Sequence, residues 1–235
     1  MITAWDEDYK ETKLIMQGKA SMKPEFKPLA EWIDKTYDVT TVNIIYDTIE
    51  PNNRPRIQIC FEFLGEKEKF DGSTLFSYDP KKQSEISLQF KRMLKNQGLT
   101  KRKGLLSFLN KSDLLQYDTD DVFVYYGAFK PIAKEEANGQ ITKEQLERLK
   151  EDINDRNLWY ILNSFAIATF FLFTDEQVTQ YEKTDLKTKW SKKYFEILKE
   201  YDEFDYWSES DFSINFDSKE NFDTKYKSSW FYYMR

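Results

Sequence analysis

Between residues 41 and 63 apolar and polar side chains change places at nearly every step, and no other stretch narrows the fold as much. Val42, Ile44 and Tyr46 alternate with Thr41, Asn43 and Asp47. Past a turn at 50–54, Ile57, Ile59, Phe61 and Phe63 alternate with Gln58, Cys60 and Glu62. Successive strand side chains point to opposite faces, so this period of two predicts a β-hairpin with one face buried. Pro51 and Pro55 bracket the turn and have no N–H to give to a ladder.

Around the hairpin the period becomes helical. Trp5, Tyr9, Thr12 and Met16 fall on one face, acids crowd the first turn, and Gly18 suits a left-handed end. A second helix follows Pro28, with Leu29, Trp32, Ile33 and Tyr37 on one side. Asp79-Pro80 opens a third, as N-cap and first helical residue; Ile86, Phe90, Met93 and Leu94 form its stripe and Gly98 ends it. A strand is expected at 122–129. Residues 130–141, with Pro131, a charged run and Asn138-Gly139, read as a linker or exposed loop.

Thr142 to Gln145 fits a capping box, opening a helix with Leu146, Leu149 and Ile153 inward. The apolar stretch 158–173 reads as strands, and Thr174 to Gln177 as another helix start. Trp190, Tyr194, Ile197, Leu198 and Tyr201 give a long helix from Lys187, followed by a strand-like 212–216, a polar turn and the segment 229–234. Helix-then-hairpin order near 29–64 and again near 187–234, each helix closing on Tyr-Asp, is consistent with internal duplication or with an ordinary antiparallel α+β fold. The fold class expected is α+β: antiparallel β-hairpins in one or two sheets packed against amphipathic helices, as one compact unit over 1–235 with a possible seam at 130–141.

Chemistry is bounded by what is missing. None of the 235 residues is histidine and only Cys60 is cysteine. Histidine-based nucleophile pairs, two-histidine zinc motifs, four-cysteine zinc sites and an intramolecular disulfide are therefore excluded. There is no phosphate-loop or dinucleotide glycine pattern, and with 7 glycines the chain is poorly supplied for cradling nucleotides. Asp118, Asp120 and Asp121 begin like a calcium loop, but Phe123 stands at the sixth position, where glycine is required, and no glutamate stands at the twelfth. Asp217 and Lys219 have the spacing of a magnesium nuclease, yet Asp211 precedes them on the same expected strand. Cys60 is expected as a partly buried spacer on the hairpin's polar face. No cofactor, no metal ligand set and no catalytic residue is assigned.

Charge is segregated. From 86 to 112 there are seven basic residues (Lys91, Arg92, Lys95, Lys101, Arg102, Lys103, Lys111) and no acid; from 200 to 218 there are seven acids and no base. The basic stretch follows a helix C-terminus, where cations complement the dipole. In the acidic stretch aromatics interleave with carboxylates, as at protein-binding hot spots. Glu200, Tyr201, Asp202, Glu203, Asp205, Tyr206, Trp207, Glu209 and Asp211 are the candidate partner-binding residues. Net charge is −6, which disfavours nucleic acid and suits a basic protein partner.

Residues 1–20 carry charges where a signal peptide's apolar core would lie, and the interrupted run 158–173 is too short to span a bilayer. A cytoplasmic protein with no membrane partner is expected. No motif identifies a family. In composition (compact, acidic, aromatic-rich, motif-poor) the chain is similar to the immunity proteins that neutralise bacterial toxins. That similarity implies a protein-binding module acting by occlusion. The alternative is a carboxylate-based, metal-dependent hydrolase or nuclease.

Overall fold

The computed structural model describes residues 3–74, 77–101 and 116–234. Their elements, in chain order, are α1 (Glu7–Met16), α2 (Lys27–Tyr37), β1 (Thr41–Ile49), β2 (Arg54–Phe61), α3 (Leu64–Glu68), α4 (Pro80–Asn96), β3 (Phe123–Ala128) and α5 (Phe129–Gly139). Then come α6 (Lys143–Ile153), β4 (Leu158–Ser164), β5 (Ile167–Leu172), α7 (Asp175–Tyr181), α8 (Leu186–Lys199), β6 (Asn215–Ser218), α9 (Lys219–Thr224) and α10 (Trp230–Tyr233). The fold is α+β. Contacts group the chain into two compact units, Met1–Lys130 and Pro131–Arg235.

In the first unit β1 and β2 form the antiparallel hairpin, and β3 joins the far side of β2 in parallel. Ile44, Ile57, Ile59, Phe61, Val124 and Tyr126 face α2 and α4, whose Leu29, Ile33, Ile86, Phe90 and Leu94 complete a core. Asp79 caps α4 by accepting from the Lys81 and Lys82 N–H groups, and Pro80 takes the first helical position. The second unit repeats this plan: β4 and β5 pair antiparallel, and β6 joins β5 in parallel. Leu146, Leu149, Ile161, Phe170, Trp190, Tyr194 and Leu198 belong to its core.

The two units match in detail. Each hairpin carries a register shift after its first pair, between Thr41 and Asn43 and between Leu158 and Tyr160. The helix before each hairpin ends on a left-handed residue, Asp38 or Asn154. Buried residues at i, i+4 and i+8 point inward from α4 (Ile86, Phe90, Leu94) and from α8 (Trp190, Tyr194, Leu198). Each parallel strand runs directly into a helix whose second N–H donates to the first residue past the middle strand: Lys130 to Glu62 O at 2.9 Å, Glu220 to Phe173 O at 3.2 Å.

The structure corrects several expectations. Parallel third strands extend both hairpins. The region 130–141 is not a loop, because α5 occupies most of it. Pro131 lies in the first turn, where an N–H has no intrahelical partner to lose, while Ala133, Ala137 and Ile141 are buried at helical spacing. The first hairpin is buried on both faces: Asn43, Gln58 and Cys60 are all buried, with the Asn43 amide bonded to Thr12 of α1. Phe63 has left the strand; it is exposed at the start of α3, where its N–H donates to the Glu66 carboxylate at 3.1 Å. The second hairpin is 158–172, led by α6, so the helix-and-hairpin order is not repeated at 187–234; residues 230–233 are helical.

Candidate partner-binding surface

The acidic segment begins where α8 runs out. Asp202 folds it: its carboxylate accepts the Tyr206 and Trp207 N–H groups, each at 2.9 Å, and the Lys199 ammonium at 2.8 Å. That side chain is only 3% exposed, so Asp202 is an internal anchor rather than a surface charge. Lys199 also pairs with Asp205, which sits at φ +55°. Hydrogen bonds to the two carboxylates push the Lys199 amine up, and Lys199 in turn holds the Asp205 carboxyl down.

The aromatics of this segment turn inward. Trp207 is buried in the second unit's core, edge-on to Phe212 at 5.4 Å and capped by the Lys134 ammonium 3.7 Å from its ring. The indole N–H is buried without an acceptor. Tyr201 is half-buried and donates its hydroxyl to the Gln145 side chain of α6 at 2.8 Å. Tyr206 and Phe204 stack with centroids 5.7 Å apart, both half-buried. The carboxylates left on the outside are Glu200, Glu203, Asp205, Glu209 and Asp211. Glu209 pairs with Lys192 of α8 at 3.1 Å, and the Glu200 carboxylate accepts from Gln145 at 3.5 Å.

Beside this loop lies a groove that sequence reasoning missed. Lys187, Thr188, Ser191, Lys192 and Phe195 of α8 form one wall, Glu209, Ser210, Phe212 and Ser213 the other, around a cavity of about 570 Å³. The first unit has its counterpart, about 390 Å³, between Gln83, Ser84, Ser87, Leu88 and Lys91 of α4 and residues 119–124. The wall positions correspond one for one along the helices. In both, a helix side chain bonds the backbone at the start of the parallel strand: Gln83 donates to Val124 O inside β3, and Ser191 Oγ accepts the N–H of Ile214, just before β6, at 3.2 Å. An ion pair straps each groove, Lys91–Asp120 at 2.7 Å and Lys192–Glu209 at 3.1 Å. The inward stripe 190/194/198 was the signal available, because it leaves 187, 188, 191, 192 and 195 on its flanks.

The other sequence candidates resolve into local structure. Asp118 accepts the Asp120 N–H at 3.0 Å in a turn before β3, and Asp121 pairs with Arg54. Asp217 accepts from Asn221 and from the Tyr233 hydroxyl, and Lys219 pairs with Asp223. Among the described residues no group of three or more acidic, cysteine or histidine side chains is arranged to hold a metal ion. Cys60 is buried, and burial pushes its thiol up to about 12. No helix among the described residues is long and apolar enough to cross a membrane. Of the basic stretch, Lys91, Arg92, Lys95 and Lys101 are described; Arg102, Lys103 and Lys111 lie outside the described residues.

Comparison with known proteins finds no matching family model, no matching curated protein and no matching solved structure. The functional reading therefore rests on the geometry.

Proposed function

We propose that the protein is a cytoplasmic binding module for a basic protein, of the toxin-neutralising immunity type, and that it acts by occlusion through the acidic loop after α8. One observation carries this reading. Five exposed carboxylates, Glu200, Glu203, Asp205, Glu209 and Asp211, sit on a loop whose backbone is held by the buried Asp202. A loop already ordered in the free protein loses little freedom on binding, and its field attracts a cationic partner. The buried Trp207 contributes by fixing the loop from beneath, with the charged rim making the contact.

Affinity capture from the native cell tests this, with the wild-type chain and a Glu203→Lys/Asp211→Lys variant as paired baits at low and high salt. Both substituted side chains are exposed, so the variant is expected to fold normally. The reading expects a basic partner in stoichiometric yield with wild type, lost with the variant and weakened by salt. A partner retained equally by both baits would place the interface elsewhere.

A further inference from the structure

The first unit's sheet has two unlike faces. One packs its aliphatic and aromatic residues on α2 and α4. The other presents three cross-strand rows: Asn43–Cys60–Gly127, Ile45–Gln58–Tyr125 and Asp47–Arg56–Phe123. Polar side chains predominate, and α1 lies along β1, over Asn43, and reaches Tyr125 of β3. Only Tyr9 and Thr12 of its ten residues are buried. Tyr9 stacks on Phe129 with centroids 5.2 Å apart; the Thr12 hydroxyl and the Glu11 carboxylate each accept from the Asn43 amide at 3.3 Å, and the Tyr125 hydroxyl donates to Asp8 at 3.3 Å.

Closure is imperfect. The side-chain carbonyl oxygen of Asn43 is buried with no hydrogen-bond partner, and Asn43 is 0% exposed. Such atoms lose water on closure and gain nothing in return. The matching face of the second unit is sealed differently. There Phe171, Phe222, Trp230 and Tyr233 interlock, Phe222 and Trp230 at 4.2 Å, and Asp217 accepts the Tyr233 hydroxyl at 2.7 Å. One plan thus carries an aromatic seal in one unit and a thinly held polar cover in the other.

We propose that α1 is a displaceable lid: it lifts from the β1–β2–β3 sheet while the core against α2 and α4 stays folded, uncovering a polar surface of Asn43, Gln58 and Tyr125 beside the half-exposed Asp47–Arg56 pair. Segments with few buried apolar contacts open at lower free energy than the core. Opening gives the Asn43 side-chain oxygen water, and the Asp47–Arg56 ion pair is already in place beside it. The lid is independent of the acidic loop of the second unit, so either can fail without the other.

Cys60 lies beneath α1 and is the chain's single thiol, which makes it a reporter for the intact protein. Its labelling by Ellman's reagent is followed in increasing urea below the unfolding transition. Lid opening exposes little surface, so the wild-type rate is expected to rise with a shallow urea slope. Tyr9→Ala is expected to accelerate labelling about tenfold, and Thr12→Val by a smaller factor, through a weaker lid. Ile33→Ala, which thins the core on the opposite face, should leave the low-urea rate within about twofold. Labelling that follows the full urea dependence of global unfolding overturns the proposal, and this readout needs no variant. An acceleration by Ile33→Ala equal to that by Tyr9→Ala overturns it as well.

Discussion

Replacing Asp202 by alanine leaves the Tyr206 and Trp207 N–H groups and the Lys199 ammonium without their shared acceptor. Buried donors stranded in this way make the substitution cost about 2–4 kcal/mol, measured as a lower urea midpoint. Asp8 carries a different prediction. Burial first, then the charge of Asp47, raise its carboxyl above the ordinary value; Tyr125 and Arg56 oppose this and Glu11 adds to it. The folded chain then holds that proton more tightly than the unfolded chain, so the stability it contributes is lost as pH rises through the window between the two values. Asp8→Asn should therefore raise the urea midpoint at about pH 7, and the difference from wild type should vanish at about pH 3. Neither role was legible beforehand. Asp202 and the exposed Glu203 are adjacent acids of one run, and only the turn after α8 decides which one faces inward.

At the scale of elements, α5 and the turn between β4 and β5 hold each other. The Asn138 amide donates to Phe165 O at 2.8 Å and Ile167 O at 3.1 Å, and its oxygen accepts the buried Tyr194 hydroxyl at 2.7 Å. Asn138→Ala should cost about 2–4 kcal/mol, and Tyr194→Phe about 1 kcal/mol, in chemical denaturation. The turn holds Phe165 at φ +52°, with the residue 56% exposed. A left-handed backbone is costly for a residue with a Cβ, so Phe165→Gly should stabilise by about 1 kcal/mol and raise the thermal midpoint. Helices with an apolar stripe, α2, α4, α6 and α8, are readable from spacing, as is the first hairpin. α5 is not, because Pro131 and Asn138-Gly139 resemble turn punctuation until the alanines at 133 and 137 are seen buried. Asn138 reads as a turn residue and is in fact the buried tie.

Across the whole chain one plan occurs twice, and the sequence obscured it for physical reasons. The strands of the second hairpin are apolar on both faces, which erases the period of two that marks 41–61. β6 is four residues long, and its parallel pairing with β5 leaves no turn signal in the sequence. A shared Tyr-Asp suggests pairing 29–64 with 187–234, whereas the equivalent spans are 27–128 and 143–218. Of the nine candidate partner residues, Glu200, Glu203, Asp205, Glu209 and Asp211 stand outside, Tyr201 and Tyr206 are half-buried, and Asp202 and Trp207 serve the interior. Spacing marked the segment; the direction of each side chain needed the fold. With a net charge of −6 and carboxylates concentrated after α8, the proposed recognition of a basic partner should be driven by charge. The most direct measurement is the association rate with the captured partner as ionic strength is raised from about 0.02 to 0.5 M. The account expects a fall of at least about tenfold for wild type, and a slow, nearly flat profile for Glu203→Lys/Asp211→Lys. A wild-type rate indifferent to salt and unchanged by the two substitutions would contradict it.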